Sequence, residues 1–137
     1  MRILLGAADR SKVMNPHILL AEDDPATRSL ITDLLTFDGY DVSATRDGVE
    51  ALNVLCKGTP NLAILDVMMP EADGLTVLRE LREMDNGSDM PVILLTAKAD
   101  DESTWEGWRA GCNLYLTKPF EPDDLLTAVD RLLKESA

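Results

Sequence analysis

Residues 62–66 read Leu62-Ala63-Ile64-Leu65-Asp66, and this stretch decides the fold of the chain. A short apolar run that ends at a carboxylate is typical of a strand buried on both faces of a parallel sheet. Three further apolar runs each stop at a polar residue: residues 18–21 stop at Glu22, Asp23 and Asp24, residues 92–95 stop at Thr96, and residues 114–117 stop at Lys118. Parallel strands end at a common edge, where open α/β sheets bind their ligands. The pattern therefore predicts carboxylates, a hydroxyl and an ammonium at one site.

Stretches with the apolar spacing of amphipathic helices separate the strand-like runs. They cover about residues 24–38, 47–57, 74–84 and 101–110, and the last begins near residue 122. The first opens with Asp24 as the cap and Pro25 in the first turn. Residues 40–45 are more polar than the other runs, so we place this strand at an edge. Strands that alternate with helices predict an α/β fold, a five-stranded doubly wound parallel sheet with helices on both faces.

Length and composition exclude several protein classes. The 137 residues suit one domain, and no apolar run approaches the ~20 residues that span a bilayer. The net charge of −12 argues against direct binding of nucleic acid, which depends on basic side chains that neutralise phosphates. The apolar stretch at the start is too short for the core of a signal peptide. We expect a cytoplasmic protein that associates with neither membranes nor nucleic acid.

We interpret the two cysteines and the two tryptophans as residues of the core, without a functional role. Cys56 and Cys112 lie far apart without metal-type spacing, so we expect reduced, buried thiols. Trp105 and Trp108 lie three residues apart on one predicted helix and would face the same way. We expect both tryptophans in the core in preference to a docking surface.

The two ends of the chain differ from its middle. Residues 1–15 lack a turn-bounded apolar pattern and meet Pro16, so we treat them as a separate N-terminal extension and expect it to be disordered. Residues 16–137 form the domain. Because the chain stops just past the last predicted helix, we expect no output domain after it.

Asp66 is the candidate nucleophile at the predicted edge. A carboxylate held at a strand end can attack phosphorus and form an acyl phosphate, although an isolated aspartate serves more often as a cap or a metal ligand. Glu22 and Asp23 end the neighbouring run, and clustered carboxylates need a cation to offset their repulsion. We expect Asp23 and Asp66 to bind Mg²⁺ directly, together with the backbone carbonyl of Met68. Glu22 would act through water.

Lys118 and Thr96 supply the remaining groups for phosphoryl transfer, which depends on neutralising the phosphoryl oxygens. The ammonium can bind one oxygen and the hydroxyl another. The structural alternative is an exposed lysine and a threonine satisfied by the backbone. Pro119 follows the lysine, and X-Pro bonds adopt the cis form at modest cost. We predict a cis Lys118–Pro119 bond that turns the lysine over the strand ends.

From about residue 16 to residue 135, the chain resembles the receiver domain of two-component response regulators. The likeness rests on motifs that are weak singly and specific together. They are residues 18–24 with Glu22-Asp23-Asp24, residues 65–70 with Asp66 and the later Asp73-Gly74, residues 95–98 with Thr96, and residues 111–120 with Tyr115 and Lys118-Pro119. The resemblance implies the flavodoxin-like strand order 2-1-3-4-5, which is inherited from a known member of the family.

The resemblance also implies a role for each residue of the site. The expected roles are phosphoacceptor for Asp66, acidic pair for Glu22 and Asp23, switch hydroxyl for Thr96, phosphate-binding lysine for Lys118 and switch aromatic for Tyr115. The chain departs from the family where its frequent Gly-Ala-Asp-Asp reads Gly111-Cys112-Asn113-Leu114, which removes two acids and no site residue. Its acidic pair is Glu-Asp instead of Asp-Asp, which the family tolerates.

The implied function is a phosphorylation-dependent signalling switch. A sensor histidine kinase or a phosphotransfer protein would donate the phosphoryl group to Asp66 in a Mg²⁺-dependent reaction. Phosphorylation would repack the face made of the fourth helix, the fifth strand and the fifth helix, on which a downstream protein would dock. The same face is a candidate surface for a homodimer. Apart from catalysing its own phosphorylation and dephosphorylation, the domain is not expected to be an enzyme.

Three alternatives stay open. A Mg²⁺-dependent phosphatase with an aspartate nucleophile usually has a second acid two residues later, where this chain has Met68. A degenerate receiver would serve only as a binding scaffold. A receiver that is a fragment of a larger transcriptional regulator would pass its signal to a further domain.

Overall fold

The computed structural model describes residues 15–69, 72–85, 87–97 and 101–136, with side chains throughout except at residues 101–105. Strands and helices alternate as the sequence pattern predicts. They are β1 (His17–Ala21), α1 (Pro25–Phe37), β2 (Asp41–Thr45), α2 (Gly48–Lys57), β3 (Leu62–Asp66), α3 (Gly74–Glu83), β4 (Val92–Thr96), α4 (Asp101–Ala110), β5 (Leu114–Thr117) and α5 (Pro122–Ser136). Residues 1–14 of the predicted N-terminal extension lie outside the described residues. Within the described residues, no helix has the length and apolar character needed to cross a membrane.

The five strands run parallel in the order β2-β1-β3-β4-β5. This is the flavodoxin-like order that the family resemblance implies, and β2 lies at an edge as its polarity predicts. Adjacent strands pair in a register that keeps their carboxyl ends level, with Asp66 opposite Leu95 and Thr96 opposite Thr117. The polar residues at the strand ends therefore lie along one edge of the sheet.

Side chains alternate along the strands and bury two separate apolar layers, one on each face of the sheet. One layer joins the strands to α2 and α3 and includes Leu65 and Leu78. The other joins the strands to α1 and α5 and includes Ile64 and Leu125. Helices thus cover both faces, as expected for a doubly wound sheet.

Two of the predicted core positions are wrong. Cys112 is buried, and this burial raises the pKa of its thiol to about 11, but Cys56 is exposed near the end of α2. Trp108 of α4 is 45% exposed. In each helix the preceding residue, Leu55 or Gly107, takes the buried position, and the next residue is turned about 100° away from it. The side chain of Trp105 lies outside the described residues.

Leu78→Ala is expected to destabilise the domain by about 2–5 kcal/mol, because Leu78 is fully buried and its truncation leaves a cavity. The matched control is Leu30→Ala in α1, the same substitution at a side chain that is 49% exposed. The control should lose no more than about 1 kcal/mol. Urea unfolding followed by circular dichroism measures both free energies. Equal losses would contradict the assigned core.

Candidate functional site

The polar residues at the strand ends meet around the ammonium of Lys118, which follows β5. Its Nζ lies 3.1 Å from Asp66 Oδ2, at the end of β3, and 2.8 Å from Glu22 Oε1, just past β1. Both carboxyl side chains are buried. The Lys118–Pro119 bond is cis, as predicted. The structure therefore brings together, at one edge of the sheet, residues that are far apart in the sequence.

Three carboxyl groups at this edge form a candidate site for a divalent cation. Glu22, Asp23 and Asp66 each offer an oxygen atom, and these oxygens lie within 4.8 Å of one another. Glu22 and Asp66 are buried and Asp23 is exposed, so the cluster opens to solvent on the side of Asp23. Carboxylate oxygens are ligands that Mg²⁺ prefers, and the ion completes its shell with water or phosphate oxygens. The donor set therefore fits Mg²⁺.

The charges of the cluster do not balance without a cation. Burial, reinforced by the neighbouring Glu22, raises the pKa of Asp66 to about 7, and Lys118 only partly opposes the effect. Burial alone would lower the pKa of Lys118, but its contacts with Glu22 and Asp66 outweigh burial and hold that pKa above its ordinary value. Two buried carboxyl groups thus share one ammonium, which leaves a negative charge in excess whenever both are ionised.

In the metal-free protein, Asp66→Asn is expected to raise the free energy of unfolding at about pH 8 and to leave it nearly unchanged near pH 4. The folded state keeps a proton on Asp66 up to about pH 7, whereas the unfolded chain releases it near 3.8. Stability that the wild type has below about pH 4 is therefore lost as the pH rises through about 7, and neutral asparagine avoids this loss. The gain at pH 8 should be about 1–4 kcal/mol, since one pKa unit is equivalent to about 1.4 kcal/mol.

Urea unfolding in EDTA at the two pH values measures this difference. Asp33→Asn in α1, at an exposed aspartate, is the matched control and should show little difference at either pH. A variant at Asp66 that is no more stable than the wild type at pH 8 would contradict the excess of negative charge.

Asp24 caps α1, as its position before Pro25 predicts. Its Oδ2 accepts the Thr27 N–H at 2.9 Å and the Thr27 hydroxyl at 2.7 Å. These hydrogen bonds are the main reason that the pKa of Asp24 lies below its ordinary value. The N–H of Asp24 donates to Glu22 Oε2 at 3.1 Å, so the cap residue also anchors the buried carboxyl group.

Arg28 holds the backbone of the acidic pair, a role for which the sequence reasoning did not single it out. Its Nη1 donates to the carbonyl oxygen of Glu22 at 2.9 Å and to that of Asp23 at 3.3 Å. An arginine four residues past the helix cap was the available signal in the sequence. Which carbonyl groups it reaches depends on the path of the loop before the helix, which no local pattern specifies.

The turn after β3 holds Asp66 from its backbone side. A Cβ atom at Gly74, the first residue of α3, would lie 2.4 Å from the carbonyl oxygen of Asp66, so a side chain at this position would force the helix away. The N–H of Met68 donates to Asp66 Oδ1 at 3.1 Å, and the Met68 side chain is 71% exposed. Met68, the fourth predicted metal residue, thus lies beside the carboxyl group, and the role of its carbonyl stays a prediction.

Thr96 and Tyr115, the predicted switch pair, lie on the adjacent strands β4 and β5. Thr96 is buried at the end of β4, and its carbonyl oxygen accepts the N–H of Lys118 at 2.7 Å. The ring of Tyr115 packs against α4 at Gly107, where a Cβ atom would lie 2.7 Å from Tyr115 Cε2. The absence of a side chain at Gly107 therefore makes the space in which this ring lies.

Comparison with protein families and curated proteins yields consistent matches. The family model of the response regulator receiver domain matches residues 18–130. The response regulator MprA of Mycobacterium tuberculosis (strain H37Rv) is 41% identical over 123 residues, and MprA of Mycobacterium sp. (strain KMS) is 40% identical over 124 residues. Each alignment covers 90% of this chain and 53% of the relative. The chain thus spans about half the length of the curated relatives it matches.

Solved structures with the same architecture include two bacterial receiver domains. The receiver domain of the Francisella response regulator 1452 is 35% identical with a TM-score of 0.83, over 90% of this chain and 100% of that one. The receiver domain of the sensor histidine kinase PA1611 from Pseudomonas aeruginosa PAO1 is 32% identical with a TM-score of 0.82, over 88% and 98% of the two chains. That structure has a magnesium ion coordinated in its active-site cleft.

Proposed function

The chain belongs to the family of response regulator receiver domains of two-component systems, and from this premise we propose that Asp66 accepts a phosphoryl group. The donor is the phosphohistidine of a sensor histidine kinase or of a phosphotransfer protein. A carboxylate oxygen of Asp66 forms the new P–O bond as the P–N bond breaks. The imidazole nitrogen keeps the electron pair of the broken bond and takes up a proton, and the product is an acyl phosphate on Asp66.

The contact between Lys118 and Asp66 is the observation that carries this proposal. The ammonium lies 3.1 Å from the attacking carboxyl group, so it is close enough to bind an oxygen of the phosphoryl group once that group is attached. Glu22 holds the ammonium from its other side, at 2.8 Å. Thr96 ends the adjacent strand and offers a hydroxyl to a second oxygen. Neutralising these oxygens is the main demand of phosphoryl transfer.

Asp23 and Asp66, with the backbone carbonyl of Met68, are the residues that would hold Mg²⁺ directly. When bound, the ion supplies positive charge that offsets the repulsion between carboxylates and phosphoryl oxygens. Glu22 Oε1 forms an ion pair with Lys118 at 2.8 Å but makes no hydrogen bond within the described residues, and Oε2 accepts the N–H of Asp24. A contact through water therefore suits Glu22 better than direct coordination.

The output of the switch is a repacked α4–β5–α5 face. The phosphoryl group adds charge and strong acceptor oxygens, which draw the hydroxyl of Thr96 toward it. Movement of Thr96 opens space into which the ring of Tyr115 rotates. A coupling of about 1–3 kcal/mol suffices to shift the balance between two existing states. A downstream protein, or a second copy of this chain, then docks on the altered face.

Receiver domains are phosphorylation-switch signalling domains. We propose that this chain catalyses only its own phosphorylation and dephosphorylation. The alternative of a Mg²⁺-dependent phosphatase lacks its usual general acid, because Met68 stands two residues past Asp66. The alternative of a degenerate scaffold does not explain why Lys118 and the three carboxyl groups lie together at one edge of the sheet.

Incubation with acetyl phosphate and Mg²⁺, followed by mass spectrometry of the intact protein, tests the proposed function. A switch gains one phosphoryl group that decays slowly, that hydroxylamine removes and that EDTA prevents. A phosphatase would turn over the phosphodonor many times without accumulating the phosphorylated form. A scaffold would do neither. Either of these last two results would overturn the proposal.

A further inference from the structure

The loop between β1 and α1 carries both members of the acidic pair, Glu22 and Asp23. The residues on either side of Asp23 are each fixed by their own contacts. The N–H of Glu22 donates to the carbonyl oxygen of Thr45 at 3.0 Å, and the Glu22 side chain is buried against Lys118. On the other side, Asp24 caps the N-terminus of α1 through its side chain. Asp23 lies between them, exposed, and within the described part of the chain its side chain makes no hydrogen bond or ion pair.

Arg28 brackets the backbone of Asp23. A single nitrogen of its guanidinium donates to the carbonyl oxygen before Asp23, at 2.9 Å, and to the carbonyl oxygen of Asp23 itself, at 3.3 Å. Two successive carbonyl groups that bond to one donor cannot rotate independently. The backbone torsion of Asp23, and with it the direction of its Cβ atom, is therefore tied to the position of Arg28.

Given the Mg²⁺-dependent function proposed above, on which this assignment rests, we infer that Arg28 is a positioning residue that aims the Asp23 carboxylate at the cation site. Its charge alone would have the opposite effect, because a guanidinium near the carboxylate cluster repels a divalent cation. A benefit of Arg28 to cation binding must therefore come from geometry. A geometric role predicts that substitution of Arg28 weakens Mg²⁺ binding, whereas a role through charge alone predicts that removal of the charge strengthens it.

Two variants separate these contributions. Arg28→Lys keeps the positive charge but replaces a planar, five-donor group by a compact ammonium that does not reproduce the double contact. Arg28→Gln removes the charge and the double contact together. We expect both variants to bind Mg²⁺ about tenfold more weakly than the wild type, as is common when a partner that orients a metal ligand is lost. If Arg28 acted through charge alone, the lysine variant would match the wild type and the glutamine variant would bind more tightly.

Isothermal titration calorimetry, with MgCl₂ added to the unphosphorylated protein, measures these affinities. Thermal unfolding in EDTA shows whether each variant is folded. The matched control is Arg131→Lys, at an exposed arginine of α5 that pairs with Glu135, and it should bind Mg²⁺ like the wild type. Weaker binding by both Arg28 variants, with melting temperatures in EDTA close to that of the wild type, supports the inference.

Three results would overturn it: wild-type affinity in Arg28→Lys, tighter binding in Arg28→Gln, or a loss of affinity that merely follows a loss of fold in EDTA. Failure of the proposed function gives a different result, because the wild type itself would then bind no Mg²⁺ and take up no phosphoryl group from acetyl phosphate.

Discussion

Asp66→Asn is expected to abolish labelling by acetyl phosphate in the presence of Mg²⁺. The asparagine amide has nearly the shape of the carboxyl group but is not a nucleophile, so the acyl phosphate cannot form at this position. The matched control is Asp33→Asn, the same substitution at an exposed aspartate of α1, which should be labelled like the wild type. Mass spectrometry of the intact protein, before and after hydroxylamine, measures the extent of labelling.

Loss of labelling must be separated from loss of fold. Asp66→Asn is expected to stabilise the metal-free protein at about pH 8, so an unlabelled variant with a raised melting temperature is a folded protein without its phosphoacceptor. Labelling of this variant to the level of the wild type would contradict the assignment of Asp66 as the phosphoacceptor.

Lys118→Met is expected to cost about 3–5 kcal/mol of stability in the metal-free protein at about pH 8. The ammonium bridges two buried carboxyl groups, Glu22 and Asp66, and its removal leaves both without a counter-charge. The matched control is Lys134→Met in α5, which breaks an exposed pair with Asp130 at 3.0 Å and should cost no more than about 1 kcal/mol. Urea unfolding in EDTA measures both losses.

A second substitution tests the cause of this loss. Asp66→Asn in the Lys118→Met background removes one of the two stranded charges and should recover a substantial part of the lost stability, so that the two substitutions are not additive. Additive effects would contradict the shared ion cluster. Phosphorylation of Lys118→Met by acetyl phosphate should also fall steeply, because no ammonium then faces the phosphoryl oxygens.

The position of the site could be predicted from the sequence because it follows from a few strong local signals. Apolar runs that stop at Asp66 and Thr96 identify central strands, and parallel pairing then brings their ends together whatever the loops do. The cap at Asp24 and the cis bond before Pro119 are also local features and were predicted correctly. The strand order and the role of each residue came from the family resemblance.

Features that depend on the exact facing of a helix or the path of a loop could not be predicted. Cys56 and Trp108 are each one residue past a buried position, and composition alone suggests burial for both side chains. Arg28 acts on backbone groups five and six residues before it, through a loop whose course depends on tertiary packing. The space for Tyr115 depends on the close approach of its ring to Gly107 of α4, which is a tertiary contact.

The strand order bears on how the nascent protein matures during translation. The inner group β2-β1-β3 uses only residues 17–66, so these strands can pair while the rest of the polypeptide is still being synthesised. β4 and β5 follow later in the chain and take the two positions on one side of this group. Lys118 is the last of the site residues to be synthesised, so a nascent domain holds its clustered acids well before it holds the ammonium that pairs with them.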